Sequence, residues 1–307
     1  MPHRILVTDG LAESGLALLR QEAEVIQSGD LDGLGSVDAL VVRSRTAVSR
    51  EVLTAASPRL RVVGRAGVGF DNIDLGAARE LGVIVVNAPG AVTTAVAELT
   101  LALMLSLARR VHQAHASLQR GEWRKAELHG VQLQGKTLGV IGVGRVGSAV
   151  AGMASALGMR VLGCDAYLTE AALRGRGVEP VNLDALLAQS DFISLHVPLD
   201  DHTRVMIDAA LLARVKPGAF LINTARGGVV DETALLQALE SGRLAGAALD
   251  VFGREPPGQD PLLLHPAVVA TPHIGAQTAE AQQQTALDIA SEVLAALRGD
   301  PLRWRVA

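Results

Sequence analysis

The sequence predicts an α/β, doubly wound chain of about two domains, on three observations. The chain has 307 residues, roughly two domains' worth at ~150 residues each. Short β-rich runs alternate with helical patterns almost throughout, which is how strands joined by crossover helices read. Several of those runs are apolar on successive residues and do not alternate, as parallel strands covered on both faces require. At 49% hydrophobic and 20% charged residues, the chain has ample material for a sizeable core.

Taken in order, strands are expected at Ile5–Thr8, Ala39–Val42, Val62–Gly64, Ile84–Asn87, Thr137–Ile141, Arg160–Cys164, Phe192–His196, Ala219–Asn223, Ala247–Val251 and Val268–Thr271. The longest helical pattern runs from Thr94 to Leu118, with Leu99, Leu103, Leu107 and Val111 four apart on one face. A helix of ~25 residues is about 37 Å long, so it is read as a bridge between two halves, each with its own sheet. A last helical pattern runs from Thr278 to Leu297. Pattern alone leaves open whether it returns to the first half.

Composition excludes several function classes. Twenty-eight Lys and Arg against 32 Asp and Glu leave a net charge of -4, with no electrostatic footprint for nucleic acid or an anionic membrane. Aromatic residues are 2% of the chain, too few for a base-stacking platform. The single cysteine, Cys164, excludes an intrachain disulfide framework and a Cys-based zinc site, and is read as a small buried hydrophobe. His112, His115 and His129 show no ligand-like clustering, so no metal is expected. Asp9 ends the apolar start of the chain before a signal-peptide core can form. The longest apolar run, Leu99 to Ala108, is half of the ~20 residues a membrane span needs. A soluble, cytoplasmic protein is expected.

Chemistry enters at Gly142-Val143-Gly144-Arg145-Val146-Gly147, a G-x-G-x-x-G between the strand at Thr137–Ile141 and a helical pattern from Ser148 to Leu157. The next strand ends in Asp165, 18 residues past Gly147. Strand, glycines, helix and acidic residue together form a dinucleotide-binding fingerprint. Gly142 allows the tight turn, Gly144 the approach of backbone to a pyrophosphate, and Gly147 the packing of helix on strand. The helix N-terminus adds N–H groups and partial positive charge. Asp165 suits two ribose hydroxyls and would repel a 2′-phosphate, which favours NAD over NADP.

Beyond this motif, charged residues recur just past three successive strands: Arg226 after Leu221-Ile222-Asn223, Glu255 after Leu249-Asp250-Val251, and His273 after Val269-Ala270-Thr271. That edge of an open α/β sheet is where ligands bind. Arginine offers a planar fork for a substrate carboxylate. Histidine exchanges a proton with a hydroxyl or carbonyl oxygen, and a carboxylate on its other ring nitrogen would fix its tautomer. Beside a nicotinamide, this set suits hydride transfer at a carbon bearing a hydroxyl next to a carboxylate. His196, in Ser194-Leu195-His196-Val197-Pro198, either lines the loop over the adenine or is a structural histidine.

The segments Val41-Val42-Arg43-Ser44-Arg45-Thr46, Val63-Gly64-Arg65-Ala66-Gly67-Val68-Gly69-Phe70-Asp71-Asn72-Ile73-Asp74, Asn223-Thr224-Ala225-Arg226-Gly227-Gly228-Val229-Val230-Asp231-Glu232 and Ala247-Ala248-Leu249-Asp250-Val251-Phe252 resemble the blocks of the D-isomer-specific 2-hydroxyacid dehydrogenases, most closely the members that oxidise D-3-phosphoglycerate. The resemblance spans nearly the whole chain. It implies two doubly wound Rossmann/flavodoxin-like domains with a cleft between them and a chain that crosses over twice: residues 1–96 and 279–307 as substrate domain, 97–278 as NAD-binding domain. Arg226 and His273 would be the substrate-binding arginine and the acid/base, with Glu255 paired to His273. Arg145 and Val146 would contact the pyrophosphate. Val197, Thr224 and Asp250 would line the cofactor site, with Pro198, Ala225, Gly275 and Ala276 beside them. Arg43, Ser44, Gly67 and Val68 would hold the substrate's acidic end, and the basic pair Arg124-Lys125 could add positive charge for a phosphate. A homodimer is implied.

The implied activity is NAD-dependent oxidation of D-3-phosphoglycerate. The alternatives are a glyoxylate or hydroxypyruvate reductase of the same fold and a cofactor-sensing, corepressor-like binding protein. Val68 stands where close relatives often carry Thr. Because the chain stops soon after its last helix, allosteric inhibition by serine is not expected.

Overall fold

The computed structural model describes residues 2–307, which divide into two compact units: the chain through Val92 with Ala276–Ala307, and Thr93–Gly275. The divisions fall a few residues before the expected 96/97 and 278/279. The helix that begins at Thr93 already packs Leu101, Met104 and Leu107 into the core of the second unit.

The first unit is built on β1 (His3–Val7), β2 (Ala23–Gln27), β3 (Ala39–Val42), β4 (Val62–Arg65) and β5 (Ile84–Asn87), all parallel in the order β2-β1-β3-β4-β5. Successive side chains point to opposite faces. Ile5, Val7, Val41 and Val62 meet α1 (Glu13–Arg20) and the final helix, Ala279–Arg298. Leu6, Leu40, Val42 and Val63 meet α2 (Arg50–Ala56) and α3 (Leu75–Glu80). Both faces are dry, which is why these strands read as unbroken apolar runs. The final helix thus belongs to the first unit. Thr278 caps it by accepting from the Ala281 N–H, and Gly299, at φ 79°, ends it.

The second unit begins with α4 (Thr93–Ala108) and α5 (Val111–Gln119), which correct the single helix expected from Thr94 to Leu118. Arg110 sits at φ 52°, and the Ala108 carbonyl accepts from the Val131 N–H at 2.7 Å. A crossing segment takes the carbonyl that would have continued the helix. Behind this pair, β6 (Thr137–Ile141), α6 (Arg145–Ala156), β7 (Arg160–Cys164), β8 (Glu179–Pro180), β9 (Phe192–Leu195), β10 (Ala219–Asn223), β11 (Leu244–Leu249) and β12 (Val268–Ala270) follow. The parallel sheet runs β12-β11-β10-β9-β6-β7-β8. One face packs Leu138, Val140, Phe192 and Ile222 on α4 and α6; the other buries Ile141, Ile193, Leu195, Leu221 and Leu249.

Two strands escape the sequence pattern. Both β2 and β8 are edge strands, set by one neighbour's hydrogen bonds more than by their own apolar content. The start of β11 at Leu244, ahead of the expected Ala247, comes from a register break: Ala219 pairs Leu244 while Phe220 pairs Gly246, the extra residue of a bulge. Among the described residues, no helix is long and apolar enough to cross a membrane.

Candidate active site

The Gly-rich turn joins β6 to α6. That helix starts at Arg145, three residues ahead of the expected Ser148, with Gly144 as its N-cap. The motif therefore supplies the first turn itself, where N–H groups have no intrahelical acceptor. Gly142 has φ 87°, and a Cβ there would lie 2.7 Å from the His196 carbonyl oxygen. A Cβ on Gly147 would collide with the Gly142 carbonyl oxygen, whereas one on Gly144 would meet nothing within 4 Å. The backbone at Gly144 thus borders open space at a helix N-terminus, a fit for a dinucleotide's pyrophosphate beside Arg145 and Val146.

Asp165, just past β7, accepts the Val143 N–H on Oδ2 and the Tyr167 N–H on Oδ1, both at 2.9 Å. Each oxygen keeps acceptor capacity for a ribose hydroxyl. The preceding Cys164 is half-buried, and burial, with the Asp165 charge, raises its thiol pKa. His196 lies 2.8 Å from Ser194 Oγ through Nε2, and burial pushes its pKa down to about 4, so the ring is neutral at neutral pH. Val197 and Pro198 follow it, with Val197 Cγ1 2.9 Å from where a Gly142 Cβ would stand.

After β10 the chain is held by a buried asparagine. Asn223 accepts the Ala225 N–H at 3.1 Å and donates to the Arg226 carbonyl at 2.9 Å. Thr224 pairs its hydroxyl with Thr100 of α4 at 2.8 Å. Arg226 Nη1 donates to the Ala225 carbonyl at 2.6 Å, and its charge reaches Glu255.

The loop after β12 carries His273 at φ 51°. A non-glycine residue there costs about 1–3 kcal/mol and persists only when its surroundings over-determine it. Asp250, 1% exposed, supplies those surroundings. Its Oδ1 accepts from Thr271 Oγ1 at 2.6 Å and the Ile274 N–H at 2.8 Å, and its Oδ2 from the Gly275 N–H at 2.8 Å. The strained residue is bracketed on both sides.

So held, His273 places Nδ1 2.7 Å from Glu255 Oε2, while the Phe252 N–H donates to Oε1 at 3.1 Å. Burial alone would raise the Glu255 pKa. The hydrogen bonds from His273 and Phe252, with the charges of His273 and Arg226, outweigh it and hold the carboxyl below its ordinary value. The ionised carboxylate takes Nδ1–H, which leaves Nε2 as the ring nitrogen not engaged by Glu255. Side-chain exposures of 40% for His273 and 36% for Glu255 leave the pair only partly covered. A cavity of ≈ 390 Å³ opens beside the pair, walled by Phe252, Pro256, Leu263 and Thr271.

The remaining candidates lie in the first unit. Arg43 and Ser44 follow β3; Gly67 and Val68 follow the neighbouring β4. The Gly67 carbonyl accepts from the Ala88 N–H at 3.0 Å, and the Val68 carbonyl from Asn87 Nδ2 at 2.7 Å. Ala276, expected beside the cofactor, falls within the first unit, its carbonyl accepting from Gln282 Nε2 at 2.6 Å. Sequence reasoning passed over Asp9, Asn72, Asn223 and Thr271. The available signal was the same for most of them: a short polar side chain at or just past a strand end.

Fold and site together define a dinucleotide-dependent enzyme class with an Arg/Glu/His set. Residues 101–275 match the family model for the D-isomer specific 2-hydroxyacid dehydrogenase, NAD binding domain, and the chain belongs to that family. It is 49% identical over 304 residues to D-3-phosphoglycerate dehydrogenase 2, chloroplastic, of Arabidopsis thaliana, covering 97% of this chain and 49% of the relative. It is 47% identical to a D-3-phosphoglycerate dehydrogenase of Methanocaldococcus jannaschii, covering 97% of this chain and 58% of the relative. The chain thus spans about half the length of these curated relatives. The crystal structure of TT0316 protein from Thermus thermophilus superposes with a TM-score of 0.90 at 38% identity, covering 99% of this chain and all of that one. NAD is the cofactor to which the second unit is fitted.

Proposed function

We propose that this chain catalyses the NAD-dependent oxidation of D-3-phosphoglycerate to 3-phosphohydroxypyruvate, the entry step of serine synthesis. The observation that carries the chemistry is the Glu255–His273 contact, 2.7 Å long, in the unit that bears the Gly-rich turn. The choice of substrate rests on relatives named D-3-phosphoglycerate dehydrogenase at 41–49% identity over nearly the whole chain. When bound, the nicotinamide ring accepts a hydride from the carbon that carries the hydroxyl.

His273 Nε2 takes the hydroxyl proton as that carbon gives up its hydride, so the C–O bond becomes a carbonyl and the imidazole an imidazolium. Glu255 holds the ring's tautomer and supports the charge it acquires. Arg226 grips the substrate carboxylate with its planar fork. Arg43 and Ser44 bind the acid's anionic end, with Gly67 and Val68 beside them. Gly142, Gly144, Arg145, Val146 and Gly147 would hold the cofactor's pyrophosphate end, with Asp165 at the ribose. A homodimer through the second unit is part of this reading; Val111 and Leu118, seven residues apart on α5, are 53% and 59% exposed and offer apolar surface to a partner. Light scattering on the purified chain checks it.

The test is a panel of phosphorylated and unphosphorylated 2-hydroxy and 2-oxo acids with NAD and NADP, followed by NADH absorbance with product removed. The expected result is the highest kcat/KM for D-3-phosphoglycerate with NAD. No NADH from phosphoglycerate overturns the substrate, and a preference for unphosphorylated oxo acids makes the chain a reductase of the same fold. Arg226→Ala should lose orders of magnitude in kcat/KM, whereas loss of an ordinary surface ion pair changes stability by only ~0–1 kcal/mol.

A further inference from the structure

The segment Arg43–Thr46 is short and irregular, yet two side chains from elsewhere in the first unit fix it at both ends. Asp9, just past β1 and 3% exposed, accepts the Arg43 N–H at 2.7 Å and the Thr46 N–H at 3.0 Å on Oδ2. Its Oδ1 accepts from Thr46 Oγ1 at 2.6 Å and Arg45 Nε at 3.3 Å. Asn72 works from the carbonyl side, giving Nδ2 hydrogens to Arg43 O at 2.8 Å and Thr46 O at 2.6 Å. The N–H and C=O groups at both ends of the segment are therefore bound by one carboxylate and one amide.

This arrangement sets the two arginines of the segment in different surroundings. Arg45 is 69% exposed and tied to Asp9 and to the Thr8 carbonyl. Arg43 is half-buried, and its guanidinium has no hydrogen bond or ion pair among the described residues. Burial draws its pKa below the ordinary value, with the Asp9 charge opposing the shift. A half-buried, unpaired guanidinium is costly unless an anion arrives to meet it.

We propose that Asp9 and Asn72 are positioning residues for an anion-binding segment: they hold Arg43–Thr46 so that Arg43, and not Arg45, presents its guanidinium to the anionic end of the substrate. This rests on the substrate-side role proposed above for Arg43. The segment's shape is set by hydrogen bonds to its backbone, so its failure should appear in substrate affinity before it appears in the chemical step.

The experiment compares Arg43→Ala, Arg45→Ala, Asp9→Ala, Asp9→Asn and Asn72→Ala in the full chain. It uses the panel acid with the highest kcat/KM and, in parallel, calorimetric binding of D-3-phosphoglycerate. Arg43→Ala should raise KM for the acid about tenfold or more, as loss of one charge-assisted contact does, and leave KM for NAD unchanged. Asp9→Ala and Asn72→Ala should raise the same KM several-fold with kcat little changed. Asp9→Asn keeps an acceptor for the two N–H groups and should recover most of the loss; Arg45→Ala should have little effect. A merely structural Asp9 would instead lower the melting temperature and move kcat and both KM values together. If Asp9→Ala does not fold, Asn72→Ala and Thr46→Val carry the test. A raised KM in Arg43→Ala with none in Asp9→Ala, Asn72→Ala or Thr46→Val overturns the positioning role alone. An unchanged KM and affinity in Arg43→Ala overturns the substrate-side reading and the proposal with it.

Discussion

The two units use the same device at opposite steps of recognition. In the first, Asp9 at the end of β1 accepts the N–H groups of the loop that follows the neighbouring β3. In the second, Asp250 at the end of β11 accepts those of the loop that follows the neighbouring β12. Parallel strands bring successive loops to one edge of the sheet, so a short carboxylate past one strand reaches the backbone beyond the next. The difference lies in what each loop carries. Asp9 fixes a loop with a cation that would bind; Asp250 fixes a loop with a histidine that would react and that sits at φ 51°. The same bonds should therefore affect KM in one unit and kcat in the other.

The largest effect expected is that of His273→Ala, a loss of ~10²–10⁴ in kcat/KM, the share that acid–base catalysis supplies. Asp250→Ala should follow at about 10²-fold, because a reacting group displaced by ~1 Å costs that much, and the loss should fall on kcat. A variant that raises only KM for the acid would break the comparison. Glu255→Gln keeps the side chain's length and an acceptor but removes the charge. It should lose part of the His273 effect when assayed near pH 8. Because the Glu255 pKa is depressed, its contribution is present above the ordinary carboxylate value and is lost only as pH falls through the lower folded one. Across neutral pH the wild-type dyad should therefore show no titration of Glu255, which a carboxyl-labelled NMR titration checks.

At the end of β9 an imidazole stands in this position, and its consequence is read in stability. His196 has a pKa of about 4 in the folded chain against roughly 6.5 when unfolded. Between those values the unfolded chain binds more protons, so stability falls as pH drops through that window. From pH 7 to pH 5 this amounts to about 2 kcal/mol at most. Urea unfolding should show His196→Gln flattening that part of the curve. An unchanged slope would mean the ring is solvated and not held neutral.

Much of this is legible in the sequence. Strands buried on both faces read as apolar runs, and the Gly-rich turn announces itself by its context. Arg226, Glu255 and His273 stand out as charges just past strands. What stays hidden depends on partners distant in the chain. The break at Arg110 needs Val131 to take the Ala108 carbonyl, and β2 and β8 need a neighbour's ladder. Asp9 and Asn72 act on groups 26 to 37 residues away, so nothing in their local sequence marks them. Asp9 has only the position it shares with Asp165 and Asp250, at a strand end.

Asp165 is the third instance of the device and gives the smallest expected effect. It accepts the Val143 N–H from the loop after the neighbouring β6, and in the reading proposed above its charge would face the ribose of the cofactor. Those two roles separate in Asp165→Ser, which keeps an acceptor for Val143 but removes the repulsion of a 2′-phosphate. The turn should survive, as shown by an unchanged melting temperature. The ratio of kcat/KM for NAD to that for NADP should fall about tenfold, the equivalent of ~1.4 kcal/mol. If the ratio holds and the melting temperature drops, Asp165 serves the loop alone, and the parallel with Asp9 and Asp250 becomes one of scaffolding only.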